Sequence, residues 1–164
     1  MDTDNMFFGR RIRQNHALEH ATITILSGMV PDLRVSARSS SSGFIILGAV
    51  DLGLLRRALD EALRRLQAGE AELAIHPNCG TNLVVGLTLI TAGTLLGMAS
   101  SHTRTRIAST AVSSVAGLMA ARPLGELVQK HFTTLPDLVG VRVTDIFRRT
   151  ILGFTVIEVR TVQE

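Results

Sequence analysis

Aromatic residues are scarce in this chain, which has 164 residues with no Trp, no Tyr and only six Phe. Proteins that read single-stranded nucleic acid usually stack the bases on exposed aromatic side chains. The near absence of such side chains argues against a surface of this kind. The net charge of +3 is also small, so we expect no nucleic-acid partner.

Cysteine, charge and nucleotide-binding motifs are also rare or missing. Cys79 is the only cysteine, which excludes an intrachain disulfide and fits a reducing compartment. Charged residues make up 19% of the chain and hydrophobic residues 46%, a balance that excludes a disordered chain. The N-terminal segment carries several charges and lacks the apolar stretch of a signal peptide. The chain has neither a phosphate-binding loop nor a G-x-S-x-G nucleophile elbow.

Two long uncharged segments occupy the middle of the sequence. Leu83 to Ala99 and Ile107 to Ala121 contain no charged residue, and as helices they would extend roughly 25 and 22 Å. Both lengths are slightly short of the ~30 Å hydrocarbon core of a bilayer. Gly93 and Gly97 form a GxxxG pair, which lets helix backbones approach closely in lipid. We therefore predict a two-helix transmembrane hairpin, with a buried helical pair in a soluble or oligomeric core as the alternative.

The distribution of charge predicts the orientation of this hairpin. A two-pass hairpin leaves both flanking parts of the chain on one side of the bilayer. These parts hold nearly all the Lys and Arg residues, whereas the predicted loop, Ser100 to Arg106, holds only Arg104 and Arg106. The positive-inside rule then places both termini in the cytoplasm and the protein in a bacterial inner (cytoplasmic) membrane. The small-residue faces of the two helices also offer surfaces for self-association into a homo-oligomer.

The rest of the sequence predicts an α+β fold, with a small mixed β-sheet and packed helices interrupted by the transmembrane hairpin. Helices are expected from Arg10 to Ser27, between Asp51 and Gly69, and after Pro123. Strands are expected in five places: Leu33–Arg38, Phe44–Val50, Glu70–His76, near Val139–Thr144, and Phe154–Val162. The strand–helix–strand order of the N-terminal part favours a right-handed β-α-β crossover.

This prediction divides the chain into three parts. Residues 1–81 form an N-terminal α/β segment, residues 82–121 form the transmembrane helical hairpin, and residues 122–164 form a C-terminal helix and β-hairpin. The third part is expected to complete the same domain as the first, so that the hairpin is an insertion in one α+β domain.

The clearest chemical motif is His16-Ala17-Leu18-Glu19-His20, an H-x-x-E-H arrangement in the first predicted helix. Residues four apart lie one helical turn from each other, so both imidazoles can bind one metal ion while the carboxylate lies nearby. A zinc ion lowers the pKa of its bound water, and an adjacent carboxylate can take that proton and return it to a leaving amine. The alternative is a helix whose histidines satisfy buried polar groups, with Glu19 paired to Arg13 or Arg38.

The motif resembles the inverted zinc-binding motif of the inverzincin metallopeptidases. This resemblance implies that His16 and His20 are zinc ligands and that Glu19 is the general base. In addition, Asn15 to Thr22 (NHALEHAT) and His76 to Asn82 (HPNCGTN), which precede the predicted hairpin, look similar to an uncharacterised family of small membrane proteins from cyanobacteria and related phototrophs. That second resemblance covers most of the chain and implies no activity.

A third ligand must come from elsewhere in the sequence. His76 is the first choice because it ends a predicted strand, and strand ends beside turns are common positions for sites. Cys79 is the alternative third or fourth ligand, since a thiolate binds zinc well, and Glu70 and Glu72 are carboxylate alternatives. The turn that contains Cys79 also has a plain structural interpretation, in which Thr81 or Asn82 caps the first membrane helix.

These observations support two hypotheses from different classes. The first is a membrane-anchored zinc-dependent hydrolase, most plausibly a metallopeptidase, in which His16, His20 and His76 bind Zn2+ and Glu19 activates a water molecule for attack on a peptide or protein substrate. The second is a non-catalytic membrane assembly or scaffold protein. In that case its helical hairpin packs against partner helices, and any metal is structural, with Cys79 as a fourth ligand.

Overall fold

The computed structural model describes residues 9–99 and 103–163, with side chains omitted at residues 103 and 104. The predictions for the first eight residues and for Ser100, Ser101 and His102 of the expected loop lie outside this description. Two compact units make up the chain. The α+β unit comprises Met1–His76 with Lys130–Glu164, and the hairpin unit comprises Pro77–Gln129.

The α+β unit contains two helices, one 3-10 helix and a four-stranded sheet among its described residues. Its elements are α1 (Arg10–Met29), β1 (Ser36–Ser40), β2 (Gly43–Leu47), α2 (Leu52–Gln67), the 3-10 helix (Ala71–Ala74), β3 (Val141–Ile151) and β4 (Phe154–Gln163). The strand order is β1-β2-β4-β3, and every neighbouring pair is antiparallel. The predicted α+β class is therefore confirmed, with a sheet that is antiparallel throughout and not mixed.

The predicted strand from Glu70 to His76 is wrong, and with it the β-α-β crossover. This segment forms the 3-10 helix instead. The Glu70 backbone N–H bonds to the carbonyl oxygen of Arg65, and the two side chains form an ion pair, so the chain folds back on the end of α2. These contacts prevent the extension that a strand requires.

The first hairpin is shifted relative to its prediction. The expected strand Leu33–Arg38 begins at Ser36 and continues to Ser40, which leaves a turn of only Ser41 and Ser42. Gly43 follows with a φ of +140°, and a Cβ at this position would collide with the carbonyl oxygen of Val159 on β4. Only glycine therefore allows β2 to begin this close to the central strand.

One face of the sheet carries the core of the unit. Phe44 and Ile46 on β2 lie opposite Val159 and Ile157 on β4, and all four are buried against the helices. The predicted apolar stripe of α2 meets them, and its members are buried: Leu55, Ala58, Leu59, Ala62 and Leu66. Asp51 caps α2 as predicted, accepting the Leu54 N–H at 2.9 Å. Burying each large apolar side chain stabilises the fold by roughly 1.5–3 kcal/mol.

The hairpin unit contains α3 (Gly80–Met98) and α4 (Thr103–Val128). A π-helical turn (Gln129–Thr133) begins at its last residue, and the other four residues of the turn belong to the α+β unit. Two stretches, Gly80–Met98 and Thr105–Thr133, are long and apolar enough to cross a membrane by length and composition. Pro123 lies inside α4, so the predicted new helix start at this residue is wrong. Proline removes one backbone hydrogen bond, a loss that helices in apolar surroundings tolerate when neighbours satisfy the freed carbonyl.

Small and large side chains occupy different surfaces of α3 and α4. Small residues lie between the helices, where a Cβ on Gly93 would collide with the Ser113 carbonyl and a Cβ on Gly97 with the backbone of Thr110. The outer surface is formed by large apolar side chains that are more than half exposed: Leu83, Val84, Leu87, Leu95, Leu96, Met98, Ile107, Val112, Val115, Leu118, Met119 and Leu127. This arrangement suits a lipid environment, in which small residues and hydroxyls hold helices together.

Candidate metal centre

The H-x-x-E-H motif lies on one turn of α1, within the stretch Gln14–Thr22, where every residue except His16 is buried. The ring centroids of His16 and His20 are 4.2 Å apart, and a nitrogen of one ring lies within 4.8 Å of a nitrogen of the other. Zinc–nitrogen bonds are about 2.0–2.1 Å long, so this separation is compatible with one ion shared by both rings. The two imidazoles are therefore positioned as a potential metal-binding pair.

Backbone carbonyls fix the orientation of both rings. Nδ1 of His16 lies 2.9 Å from the carbonyl oxygen of Thr133, and Nδ1 of His20 lies 2.7 Å from that of Ala74. A carbonyl oxygen can only accept, so each Nδ1 must be the donor, and in the neutral ring the lone pair is on Nε2. Metal-binding histidines are commonly held in this way.

His76 follows the 3-10 helix and lies beside this pair. Its ring centroid is 5.8 Å from that of His20. Burial lowers the pKa of the His76 imidazole, which favours the neutral form that can bind a metal. Although the strand predicted to position His76 does not exist, the 3-10 helix brings its ring beside that of His20, and we call His16, His20 and His76 the histidine group.

Glu19 is the buried acid of the motif, with 7% of its surface exposed. The Ser39 hydroxyl on β1 donates a hydrogen bond to its carboxylate. Burial raises the pKa of Glu19, while the Ser39 hydrogen bond and the charge of His16 lower it in part. The net increase favours proton acceptance, which is the property a general base requires.

Arg13, one of the two arginines suggested as a partner for Glu19, contacts backbone carbonyls instead. Nη2 of Arg13 donates to the carbonyl oxygens of His131 and Thr134 at 3.3 and 3.4 Å. The partner of the carboxylate is instead Ser39, which follows the last residue of the predicted strand Leu33–Arg38. Strand alternation provides the missing signal, because Ser39 lies two residues after Ala37 on the face of β1 that meets α1.

Asn15 fixes the rotation of α1 about its own axis and was not singled out from the sequence. Its Nδ2 donates to the Ser40 carbonyl at 2.8 Å, and its Oδ1 accepts from the Thr161 hydroxyl at 2.7 Å. Asn15 is 2% exposed, so both bonds are shielded from water. Because they tie α1 to β1 and β4, they also determine the direction in which the neighbouring His16 projects.

The remaining predicted ligands each make contacts of their own. Cys79 belongs to the hairpin unit, where it is buried and caps α3, and its Sγ accepts the Thr81 N–H at 3.4 Å. The N-cap is therefore Cys79 and not Thr81 or Asn82. Glu70 is engaged in the ion pair with Arg65, which lowers the pKa of its carboxyl. Glu72 is exposed in the 3-10 helix.

Comparison with known proteins identifies the family. Residues 11–146 match the model of a family described as a domain of unknown function, DUF6391, and since this range is most of the chain, the protein belongs to that family. An uncharacterized protein of Picosynechococcus sp. (strain PCC 7002) is 37% identical over 135 residues, or 75% of this chain and 65% of the relative. The resemblance to an uncharacterised family with cyanobacterial members is thus confirmed. No solved structure matches the chain.

Proposed function

We propose that this member of the DUF6391 family is a membrane-anchored zinc-dependent hydrolase, with peptides or proteins as its substrates. His16, His20 and His76 are the proposed zinc ligands, and Glu19 is the proposed general base. One observation carries the proposal: the adjacent rings of His16 and His20 both donate through Nδ1 to backbone carbonyls. When Nδ1 of a neutral imidazole donates to a backbone carbonyl, the lone pair is on Nε2, which is the atom through which such a ring binds a metal.

Zinc and Glu19 have different roles in the proposed reaction. Zinc supplies Lewis acidity, lowering the pKa of water to about 7 and polarising a carbonyl group. Glu19 accepts a proton from the attacking water as its oxygen bonds to the peptide carbonyl carbon. The same carboxyl then protonates the leaving nitrogen as the C–N bond breaks, so that proton and charge balance. The raised pKa of Glu19 supports this role, since a carboxylate with an ordinary pKa holds the proton less well.

The two long apolar helices support the membrane part of the proposal. With both helices spanning the bilayer, the ends of the hairpin lie on one side, together with most of the Lys and Arg residues. The positive-inside rule then gives a bacterial inner membrane with both termini in the cytoplasm. A substrate that approaches along the membrane surface fits this arrangement.

A second candidate function is a non-catalytic assembly protein with a structural metal. The observation that favours it is burial, because His20 is 3% and Glu19 7% exposed. Structural zinc sites are closed and have four ligands, whereas catalytic sites keep one position open. Cys79, which follows His76 by only three residues in the sequence, is the proposed fourth ligand in this case. The exposed apolar surfaces of α3 and α4 would then contact partner helices or a second copy.

Metal content and hydrolysis measured on the same samples test the proposal. The full chain is purified in detergent as wild type, His16→Ala, Glu19→Gln and His131→Ala, and zinc is quantified by mass spectrometry. Turnover is followed with a library of fluorogenic peptides. His131 is exposed and lies outside the histidine group, so its variant is the matched control. We expect the His16 variant to lose metal and turnover, the Glu19 variant to lose turnover alone, and the control to lose neither.

Two outcomes contradict the proposal in different ways. Equal zinc in wild type and His16→Ala would overturn the metal site itself. Zinc that depends on His16, with no hydrolysis of any peptide by the wild type, would overturn the hydrolase and leave the structural site. A Cys79→Ser variant then distinguishes the closed site, because it should lose zinc if the thiolate is a ligand.

A further inference from the structure

The turn between β3 and β4 presents large apolar side chains to solvent. Leu152 is 92% exposed, Phe154 71% and Ile151 52%. The pairing of β2 with β4 ends at Val156, whereas β3 and β4 continue to the pair Ile151 and Phe154. The tip therefore extends beyond the rest of the sheet as two strands. None of its residues belongs to the hydrophobic core, so this exposure does not help the unit to fold.

The backbone conformation at the tip makes a leucine at position 152 more unusual still. Leu152 has a φ of 49° and Gly153 a φ of 83°. Two-residue hairpin turns with positive φ at both positions favour Asn-Gly or Asp-Gly, and a leucine is disfavoured there by steric contacts of its Cβ. Leu152 is therefore unfavourable in its conformation and unfavourable in its exposure to water. A contact outside the unit would account for both features.

The charges near the tip indicate the chemistry of that contact. Between Ile146 and Ile157, the only charged residues are Arg148 and Arg149. The Arg149 side chain is 59% exposed and lies 3.7 Å from Glu158. Strand alternation places it on the same face as Ile151 and Phe154. The Arg148 guanidinium donates to the carbonyl oxygen of Val50, whereas Arg149 lies two residues before the apolar tip. An apolar tip with an exposed arginine at its base matches the boundary between acyl chains and anionic lipid headgroups.

We propose that the Ile151–Phe154 tip inserts into the surface of an anionic bilayer, with Arg149 contacting the lipid phosphates. The inference rests on the membrane anchorage proposed above but is independent of the metal site. A lipid surface is favoured over a protein partner because the tip combines an exposed arginine with apolar side chains and because α3 and α4 bring the same chain to a bilayer. The insertion gives the α+β unit a second point of membrane contact.

The natural absence of tryptophan provides the test. Single tryptophans are introduced as Leu152→Trp and Phe154→Trp in the full chain, reconstituted in phosphatidylcholine–phosphatidylglycerol vesicles. Lipids brominated at a shallow acyl position quench a nearby indole. Asp60→Trp on the exposed side of α2 is the water-exposed control, and Leu87→Trp on the outer surface of α3 is the membrane control. Two tip variants are made so that one can still be measured if the other does not fold.

We expect both tip tryptophans to be quenched by the brominated lipids, to emit at shorter wavelength than Asp60→Trp, and to resist aqueous acrylamide. Replacing Arg149 by Gln should reduce the lipid quenching. Quenching by acrylamide alone would overturn the inference, and so would protection from both quenchers, which indicates a protein partner or a second copy. If Leu87→Trp is also unquenched by lipid, the anchorage has failed, and the tip inference fails with it.

Discussion

Ser113 donates its hydroxyl hydrogen to the backbone carbonyl oxygen of Gly93 at a distance of 2.6 Å. The bond joins α4 to α3 at a position where the two backbones come close together. A similar bond runs from Ser109 to the carbonyl of Gly97 at 2.8 Å. Glycine is needed at both points because any Cβ would occupy the space of the opposite backbone. The GxxxG pair thus packs within the hairpin, and self-association would have to use the outer surfaces.

The first prediction concerns this glycine contact. Gly93→Ala should separate the helices and lengthen the Ser113 bond, at a cost of about 1–3 kcal/mol from overpacking. Gly86→Ala is the matched control, because its methyl group would lie 3.3 Å from the Cβ of Ala121, a tight but adjustable contact. Thermal unfolding in one detergent should show a lower Tm for the first variant only. Equal Tm values for the two variants would contradict the packing described.

Sequence reasoning succeeded where the determining forces are local. Asp51 and the apolar stripe behind it predicted α2, because a helix cap and a helical repeat act within a few residues. The segment after α2 was misassigned because its conformation depends on a backbone and ion-pair contact with Arg65. The apolar, strand-compatible composition of this segment gives no indication of that contact. Pro123 was misassigned because proline is common at a helix start but is also tolerated inside helices in apolar surroundings.

The candidate site was only partly predictable for a related reason. The spacing of His16, Glu19 and His20 is a property of one helical turn, so it can be read directly from the sequence. The groups that orient the rings are the backbone carbonyls of Thr133 and Ala74. Every residue has a carbonyl, and therefore no sequence pattern identifies these two. Only the fold determines which carbonyl faces which ring.

The second prediction is that metal contributes to the stability of the fold. A ligand present at a thousand times its Kd stabilises a protein by about 4 kcal/mol. A chelator such as EDTA should therefore lower the Tm of the wild type. The double variant His16→Ala/His20→Ala is the control, and its Tm should not change on chelation. Insensitivity of the wild type to an excess of chelator, with its zinc verified as removed, would exclude a structural contribution.

The third prediction concerns Ser39 and pH. Ser39→Ala removes the hydrogen bond that lowers the pKa of Glu19, so the pKa of this carboxyl rises further. The folded state then holds the proton more tightly than the unfolded chain does, and stability falls more steeply as the pH rises through the pKa. An unsatisfied buried carboxylate costs about 1–3 kcal/mol or more.

The measurement for Ser39→Ala is the difference in Tm from wild type across a pH series. The loss should be largest at neutral and higher pH, where Glu19 is ionised, and should shrink as the pH falls and the carboxyl is protonated. Ser41→Ala is the matched control because its side chain lies in the exposed turn between β1 and β2. A pH-independent loss, or the same loss in both variants, would mean that the Ser39 hydroxyl does not act through Glu19.

The fourth prediction separates stability from membrane contact at Leu152. Asparagine tolerates positive φ better than leucine does, so Leu152→Asn should relieve backbone strain and raise the stability of the α+β unit by about 1 kcal/mol. The Tm in detergent should rise, while vesicle binding by the tip, followed with Phe154→Trp in the same chain, should weaken. Phe154→Ser, made without the tryptophan, is the control for the Tm, because it removes an exposed apolar side chain without changing the positive-φ turn. A drop in Tm for Leu152→Asn would show that Leu152 makes a stabilising contact within the fold, and its exposure would then need a different explanation from lipid.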